Sequence, residues 1–168
     1  FFKVSDTVDV KGGRIKYYDK VMIDSYHNYD KITIEKAFII SSNVGVSRII
    51  NDNYKSNPTA FTDRMYKMGL GTSLKLELLY PDNFLIQTPK SKGWDGTSLP
   101  WMSIGYGAIL TPIHMLTFYN AIANQGKMIN PIFTSAISRD GKIIEERTTK
   151  VINPAICSKA TIDAVMPL

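Results

Sequence analysis

The sequence predicts a mixed α/β (α+β) fold that is rich in helix and carries at least one antiparallel strand pair. Three observations carry this. Apolar residues recur at helical spacing behind recognisable caps, as at Thr33, Asn57-Pro58 and Thr111-Pro112. The stretch from Val4 to Asp24 instead alternates apolar and polar residues around Gly12-Gly13, the period of strands. Asp140-Gly141 then sits between two short apolar runs, a strong hairpin signal.

Taken in order, residues 1–30 read as short strands or irregular chain, with Tyr17-Tyr18 and Val21-Met22-Ile23 expected on the buried side. Thr33 can cap a first turn and Glu35 suits its positive end, so residues 34–40 predict a short helix. Ser41-Ser42-Asn43 interrupts it. Val46, Ile49 and Ile50 then share one face of a second helix. Asn57-Pro58 opens a third, with Phe61, Met65 and Met68 as its stripe and Gly69 and Gly71 as its stop. From Pro81 to Pro100 turn-forming residues predict a long, mostly irregular crossing. Thr111-Pro112 opens a helix reaching Asn124, in which Ile113, Leu116, Asn120 and Ala123 share one side, and Gly126 ends it. A hairpin near 131–146 follows, with Ile132-Phe133 and Ile143-Ile144 expected in its strands, and Ser158 caps a last helix.

Composition narrows the function. The chain has 44% apolar and 21% charged residues, the balance of an ordinary globular domain. Its net charge of +5 is scattered, with no basic cluster or basic helix face, so nucleic acid is not an expected partner. No apolar run is long enough to cross a bilayer. Cys157 stands alone, which excludes an internal disulfide. His27 and His114 lack metal-ligand spacing, and Gly105-Tyr106-Gly107 is too short for a dinucleotide fingerprint, so neither a metal nor a cofactor is expected.

Ser41-x-Asn43 is the candidate site. A hydroxyl and a carboxamide at a break between helices can face one cleft, the first passing a proton and the second bonding a substrate carbonyl or a nearby ammonium. Serine and asparagine are equally good helix caps, and such a tripeptide arises by chance about once in a chain of this composition. Taken alone, the three residues leave both readings open. Tyr106 can likewise line a cleft or fill a core.

The surrounding sequence adds a resemblance. Residues 32–45, Ile-Thr-Ile-Glu-Lys-Ala-Phe-Ile-Ile-Ser-Ser-Asn-Val-Gly, resemble the second-motif region of class B penicillin-binding proteins. Residues 104–112, Ile-Gly-Tyr-Gly-Ala-Ile-Leu-Thr-Pro, resemble a later block, which continues through Ala121-Ile122-Ala123-Asn124-Gln125-Gly126 and then Pro131. Met68-Gly69-Leu70-Gly71 between them is similar to the family's glycine-rich helix stop. His114 departs from the family, which more often has Gln there.

The resemblance implies a helix-rich piece of the penicillin-binding-protein and serine β-lactamase-like transpeptidase fold, with an incomplete sheet. It further implies a parent D,D-transpeptidase that cross-links peptidoglycan stem peptides through an acyl-enzyme and binds β-lactams. Such enzymes use Ser-x-x-Lys, Ser-x-Asn and Lys-Thr-Gly motifs. Only the second occurs here, so the nucleophile is expected upstream of residue 1 and Lys-Thr-Gly downstream of residue 168. By this resemblance Ser41 relays a proton, Asn43 positions substrate and the nucleophile's lysine, and Tyr106 lines the substrate cleft. The Gly-Tyr-Gly pattern and Phe118–Asn124 look more like the division branch than the elongation branch. Expected partners of the parent are a glycan polymerase and division proteins. Its expected place is extracytoplasmic, with a membrane anchor outside this sequence. The isolated piece is expected to be inactive, with an exposed apolar face that favours self-association. A β-lactam sensor, a related serine hydrolase and a non-catalytic binding module of the same fold remain alternatives.

Overall fold

The computed structural model describes residues 2–25, 28–76 and 84–168. His27 and the start of the crossing at Pro81 lie outside them. The chain divides into two compact units. The first comprises Phe1–Arg64, Leu85–Ile109 and Pro167–Leu168, the second Met65–Phe84 and Leu110–Met166.

The first unit opens with strand β1 (Thr7–Asp9), which pairs antiparallel with β4 (Lys31–Thr33). Between them a left-handed turn at Lys11-Gly12-Gly13 leads into the hairpin β2 (Arg14–Tyr17) and β3 (Lys20–Ile23). Tyr17 and Met22 are buried, but Tyr18, Val21 and Ile23 are exposed. Successive strand side chains point to opposite faces, so consecutive apolar residues cannot all face inward. Tyr18 also leaves the strand altogether, at φ 54° in the turn.

Thr33 ends β4 and caps α1 (Ile34–Ile39), its hydroxyl accepting from the Lys36 N–H. Helix α2 (Asn43–Tyr54) follows at once, capped by Ser42. It is tied to β2 by a buried pair of hydroxyls: Ser47 donates to the Val44 carbonyl, and the Tyr17 hydroxyl lies 3.1 Å from Ser47. Burial pushes the Tyr17 phenol above its ordinary range, with the Ser47 bond opposing the shift. Val8, Val10, Tyr17, Met22, Ile32, Ala37 and Val44 form this unit's core, with Trp101 and Ile104 packed against it.

Helix α3 (Pro58–Lys67) has Pro58 at its first position and Asn57 as cap, the Asn57 side chain accepting from Ala60. The predicted irregular crossing holds more order than expected. β5 (Leu85–Ile86) pairs with β6 (Ala108–Ile109), and between them α4 (Ser98–Met102) forms a single turn. Asp95 organises that turn by accepting from the Thr97 N–H and from the Thr97 and Ser98 hydroxyls. Hydrogen bonds from the Thr97 hydroxyl and N–H hold the Asp95 carboxyl below the usual carboxylate range. A five-residue helix is too short to leave a periodic signature in sequence.

In the second unit α5 (Pro112–Ala123) begins at Thr111, as expected. Its buried residues are His114, Thr117 and Ala121, whereas Leu116 stays 63% exposed. The helix is apolar nearly all round, so periodicity alone does not choose its inner face. Local bonds let polar residues take it: Thr117 donates to the Ile113 carbonyl, and His114 Nδ1 lies 2.7 Å from the Thr111 hydroxyl. His114 occupies the third position of the helix, where a glutamine would complete a capping box. The histidine holds the cap's hydroxyl instead. Gln125 and Gly126 both take positive φ, and the Gly126 N–H closes the helix on the Ala121 carbonyl.

β7 (Met128–Ile129) pairs with β10 (Val151–Asn153), and β8 (Ala136–Arg139) with β9 (Lys142–Glu146) across the expected Asp140-Gly141 turn. Ile132 and Phe133 precede β8. The turn sets the register, and the pairing runs out at the Arg147 N–H, which bonds the Ser135 carbonyl, before it reaches those two residues. Ser158 caps α6 (Lys159–Val165), accepting from the Thr161 N–H. Ala121, Met128, Ile156 and Ile162 form the core of this unit. Among the described residues every sheet is a two-stranded antiparallel pair.

Candidate active site

The Ser41-Ser42-Asn43 break is a closed turn whose three residues do three different things. After α1 the Ser41 N–H bonds the Phe38 carbonyl at 3.0 Å and the Ser42 N–H bonds the Ala37 carbonyl at 2.8 Å. Those two bonds make a Schellman motif with Ser41 at its left-handed position, φ 53°. Glycine is the usual residue there. A serine with a Cβ costs about 1–2 kcal/mol. The Ser41 side chain is exposed and, among the described residues, makes no hydrogen bond that would offset this cost.

Ser42 is the helix cap. Its hydroxyl accepts from the Gly45 N–H at 2.9 Å and donates to Asp24 Oδ2 at 2.6 Å, and the residue is buried. Capping, the bland reading of the tripeptide, therefore falls on its middle residue and leaves Ser41 uncommitted. Asn43 begins α2, half-buried, and donates from Nδ2 to the Ile23 carbonyl at 3.2 Å. That bond uses the amide's donor end and leaves Oδ1 as an acceptor. Asp24, at the end of β3, had no signal in the sequence beyond closing an apolar run. Its other oxygen, Oδ1, accepts from the Val44 N–H at 2.8 Å.

Tyr106 lies on the turn between α4 and β6, where Gly105 (φ 104°) and Gly107 (φ 69°) take conformations a side chain disfavours. It is 64% exposed, so it is not a core aromatic. With Lys20, Asp95, Thr97 and Trp101 it lines an open recess of about 200 Å³. Lys20 donates to the Thr97 hydroxyl at 3.1 Å and stands 5.8 Å from the Trp101 ring centre. Neither Ser41 nor Asn43 lines this recess, so Tyr106 is not brought into one pocket with them. Among the described residues no three His, Cys, Asp or Glu side chains group as a metal site would, and no helix is long and apolar enough to cross a membrane.

Residues 1–167 match the family described as the penicillin binding protein transpeptidase domain. The chain belongs to that family. It is 30% identical over 132 residues to penicillin-binding protein PbpB of Mycolicibacterium smegmatis, covering 76% of this chain and 20% of that protein. It is 29% identical to peptidoglycan D,D-transpeptidase FtsI of a Buchnera aphidicola strain, covering 86% of this chain and 24% of that one. Among solved structures, penicillin binding protein 3 of Mycobacterium tuberculosis in complex with aztreonam superposes with a TM-score of 0.75 at 26% identity, over 97% of this chain and 35% of that chain. The chain thus spans between a fifth and a quarter of these two curated relatives. The transpeptidase-domain fold and the family relation expected from the two sequence blocks both hold.

Proposed function

We propose that this chain is the Ser-x-Asn-bearing part of a peptidoglycan D,D-transpeptidase of the division type, whose nucleophilic serine and Lys-Thr-Gly motif lie outside it. The observation that carries the reading is the turn itself: a serine held left-handed at a cost, its exposed side chain making no hydrogen bond among the described residues, beside an asparagine whose amide oxygen likewise makes none there. In the reaction a serine elsewhere in the parent attacks the donor stem peptide and releases its terminal D-alanine. An acceptor amine then takes the peptidyl group from that serine. Ser41 relays the proton to the leaving amine and from the attacking one. Asn43 Oδ1 accepts from the lysine ammonium of the nucleophile motif, held in place by the bond from Nδ2 to the Ile23 carbonyl. Tyr106 contributes to binding the stem peptide at the cleft's edge. β-Lactams are taken by the same serine. The parent works outside the cytoplasm, anchored by a segment outside this chain, beside a glycan polymerase and division proteins.

Alone, this chain has no nucleophile to acylate. Intact mass after incubation with a penicillin tests the reading, on this chain and on a protein extended at both ends through the flanking motifs. One covalent adduct is expected on the extended protein and none on this chain. An extended protein that stays unmodified would reduce the chain to a non-catalytic relative. The exposed Ile143 and Ile144 of β9 support self-association of the isolated chain. Sedimentation of the same samples at micromolar concentration is expected to find dimers or larger species, and a monomer would contradict it.

A further inference from the structure

Asp24 is about 95% buried, and burying a carboxylate is costly unless its oxygens are satisfied. Here both are. Oδ2 takes the Ser42 hydroxyl at 2.6 Å, a short bond of the charge-assisted kind, and Oδ1 takes the Val44 N–H at 2.8 Å. The charge also lies at the first turn of the 12-residue helix α2, where free N–H groups favour an anion. One residue earlier on the same strand end, the Ile23 carbonyl takes the Asn43 amide. Residues 42, 43 and 44 are therefore all fastened to Ile23-Asp24, by three bonds from two consecutive residues. Among the described residues the Ser41 side chain makes no such bond, and its backbone is held between the Phe38 carbonyl, which takes its N–H, and the fastened Ser42.

We propose that Asp24 is a positioning residue for this site: its carboxylate locks the Ser42 cap and the start of α2, and so holds Ser41 and Asn43 where the reaction needs them. The role rests on the transpeptidase reading, but the lock itself does not. An asparagine at 24 can still accept from the Val44 N–H and donate to the Ser42 oxygen, so it preserves the lock in part. An alanine removes both bonds and leaves the Ser42 hydroxyl proton without its acceptor.

The test uses the extended protein with Asp24→Ala, Asp24→Asn and, as a control for general destabilisation, Val8→Ala in β1. Three readouts are taken: the second-order rate of penicillin acylation, the thermal midpoint, and amide hydrogen exchange at Val44 and Gly45. Asp24→Ala is expected to slow acylation between about tenfold and a hundredfold and to speed exchange at those two amides. Asp24→Asn should recover most of both. Val8→Ala should lower the midpoint while leaving both near wild type. The proposal is overturned if Asp24→Ala acylates at the wild-type rate. It is equally overturned if its loss is matched by Val8→Ala at the same midpoint shift, or if exchange at Val44 and Gly45 does not change. Should the wild-type protein take no penicillin, the transpeptidase reading falls, and the exchange comparison alone decides whether Asp24 locks the turn.

Discussion

Replacing Ser41 with glycine is expected to make the fold more stable and, on the proposed role of its hydroxyl, penicillin acylation of the extended protein far slower. The residue sits at φ 53° in the closing position of the Schellman turn, where glycine carries no Cβ penalty. Relief of that penalty, less the extra freedom glycine gains in the unfolded chain, should raise stability by about 0.5–1 kcal/mol. Loss of the hydroxyl should slow acylation of the extended protein by about 10² to 10⁴, the range of a removed proton-transfer group. Ser41→Ala separates the two effects, because it loses the hydroxyl but keeps the Cβ. Its acylation should fall as far with no gain in stability. Urea unfolding midpoints and penicillin acylation rates on the three proteins decide the matter. A glycine variant that gains nothing in stability would mean that Ser41 is not strained. An alanine variant that acylates normally would remove Ser41 from the chemistry.

Gly45→Ala should be the opposite case, damaging the fold at a helical position where alanine ordinarily helps. A Cβ built on Gly45 would lie 2.9 Å from the Ala37 Cβ and 2.9 Å from the Ser42 oxygen, closer than side chains approach. α1 and α2 cross at this point, and neither contact is the tip of a flexible side chain. Overpacking of this kind costs about 1–3 kcal/mol, against roughly 1 kcal/mol of helix propensity gained. The net expectation is a lowered unfolding midpoint, together with slower acylation because the Ser42 cap is displaced. A raised midpoint would show that the two helices can part without loss. Gly45 belongs to the stretch that resembles penicillin-binding proteins, and the crossing gives that glycine a physical reason.

Much of the helical framework was legible because its signals are local. Thr33, Asn57-Pro58, Thr111-Pro112 and Ser158 each act within three residues of where they stand, and a cap is visible wherever its geometry is short-range. The Asp140-Gly141 turn was legible for the same reason. What failed depended on partners distant in sequence. Tyr18 looked like Tyr17 until the hairpin's turn claimed it, and Leu116 looked more buried than Thr117 because an almost wholly apolar helix does not announce its inner face. Within the proposed site, type and setting are what single out Ser41 and Asn43. Ser42 could be read as a cap from its type, but the left-handed backbone of Ser41 could not, since a serine does not signal it as glycine, asparagine or aspartate can. Asp24 was invisible because its partner Ser42 lies 18 residues away, and nothing in a lone aspartate says which helix it will meet.

Ser42 belongs to two helices at once: it completes the closure of α1 and caps α2. The three residues between the two, Ile40, Ser41 and Ser42, are all taken up in closing the first or capping the second, so the link has no slack in its length. One residue inserted between Ser41 and Ser42 would put a different N–H opposite the Ala37 carbonyl, so the closure of α1 and the cap of α2 could no longer share one residue. It would part the serine from the asparagine, even though all the chemical groups were still present. The middle residue can be any that caps a helix, but the count of three is held by the turn that closes one helix and opens the next.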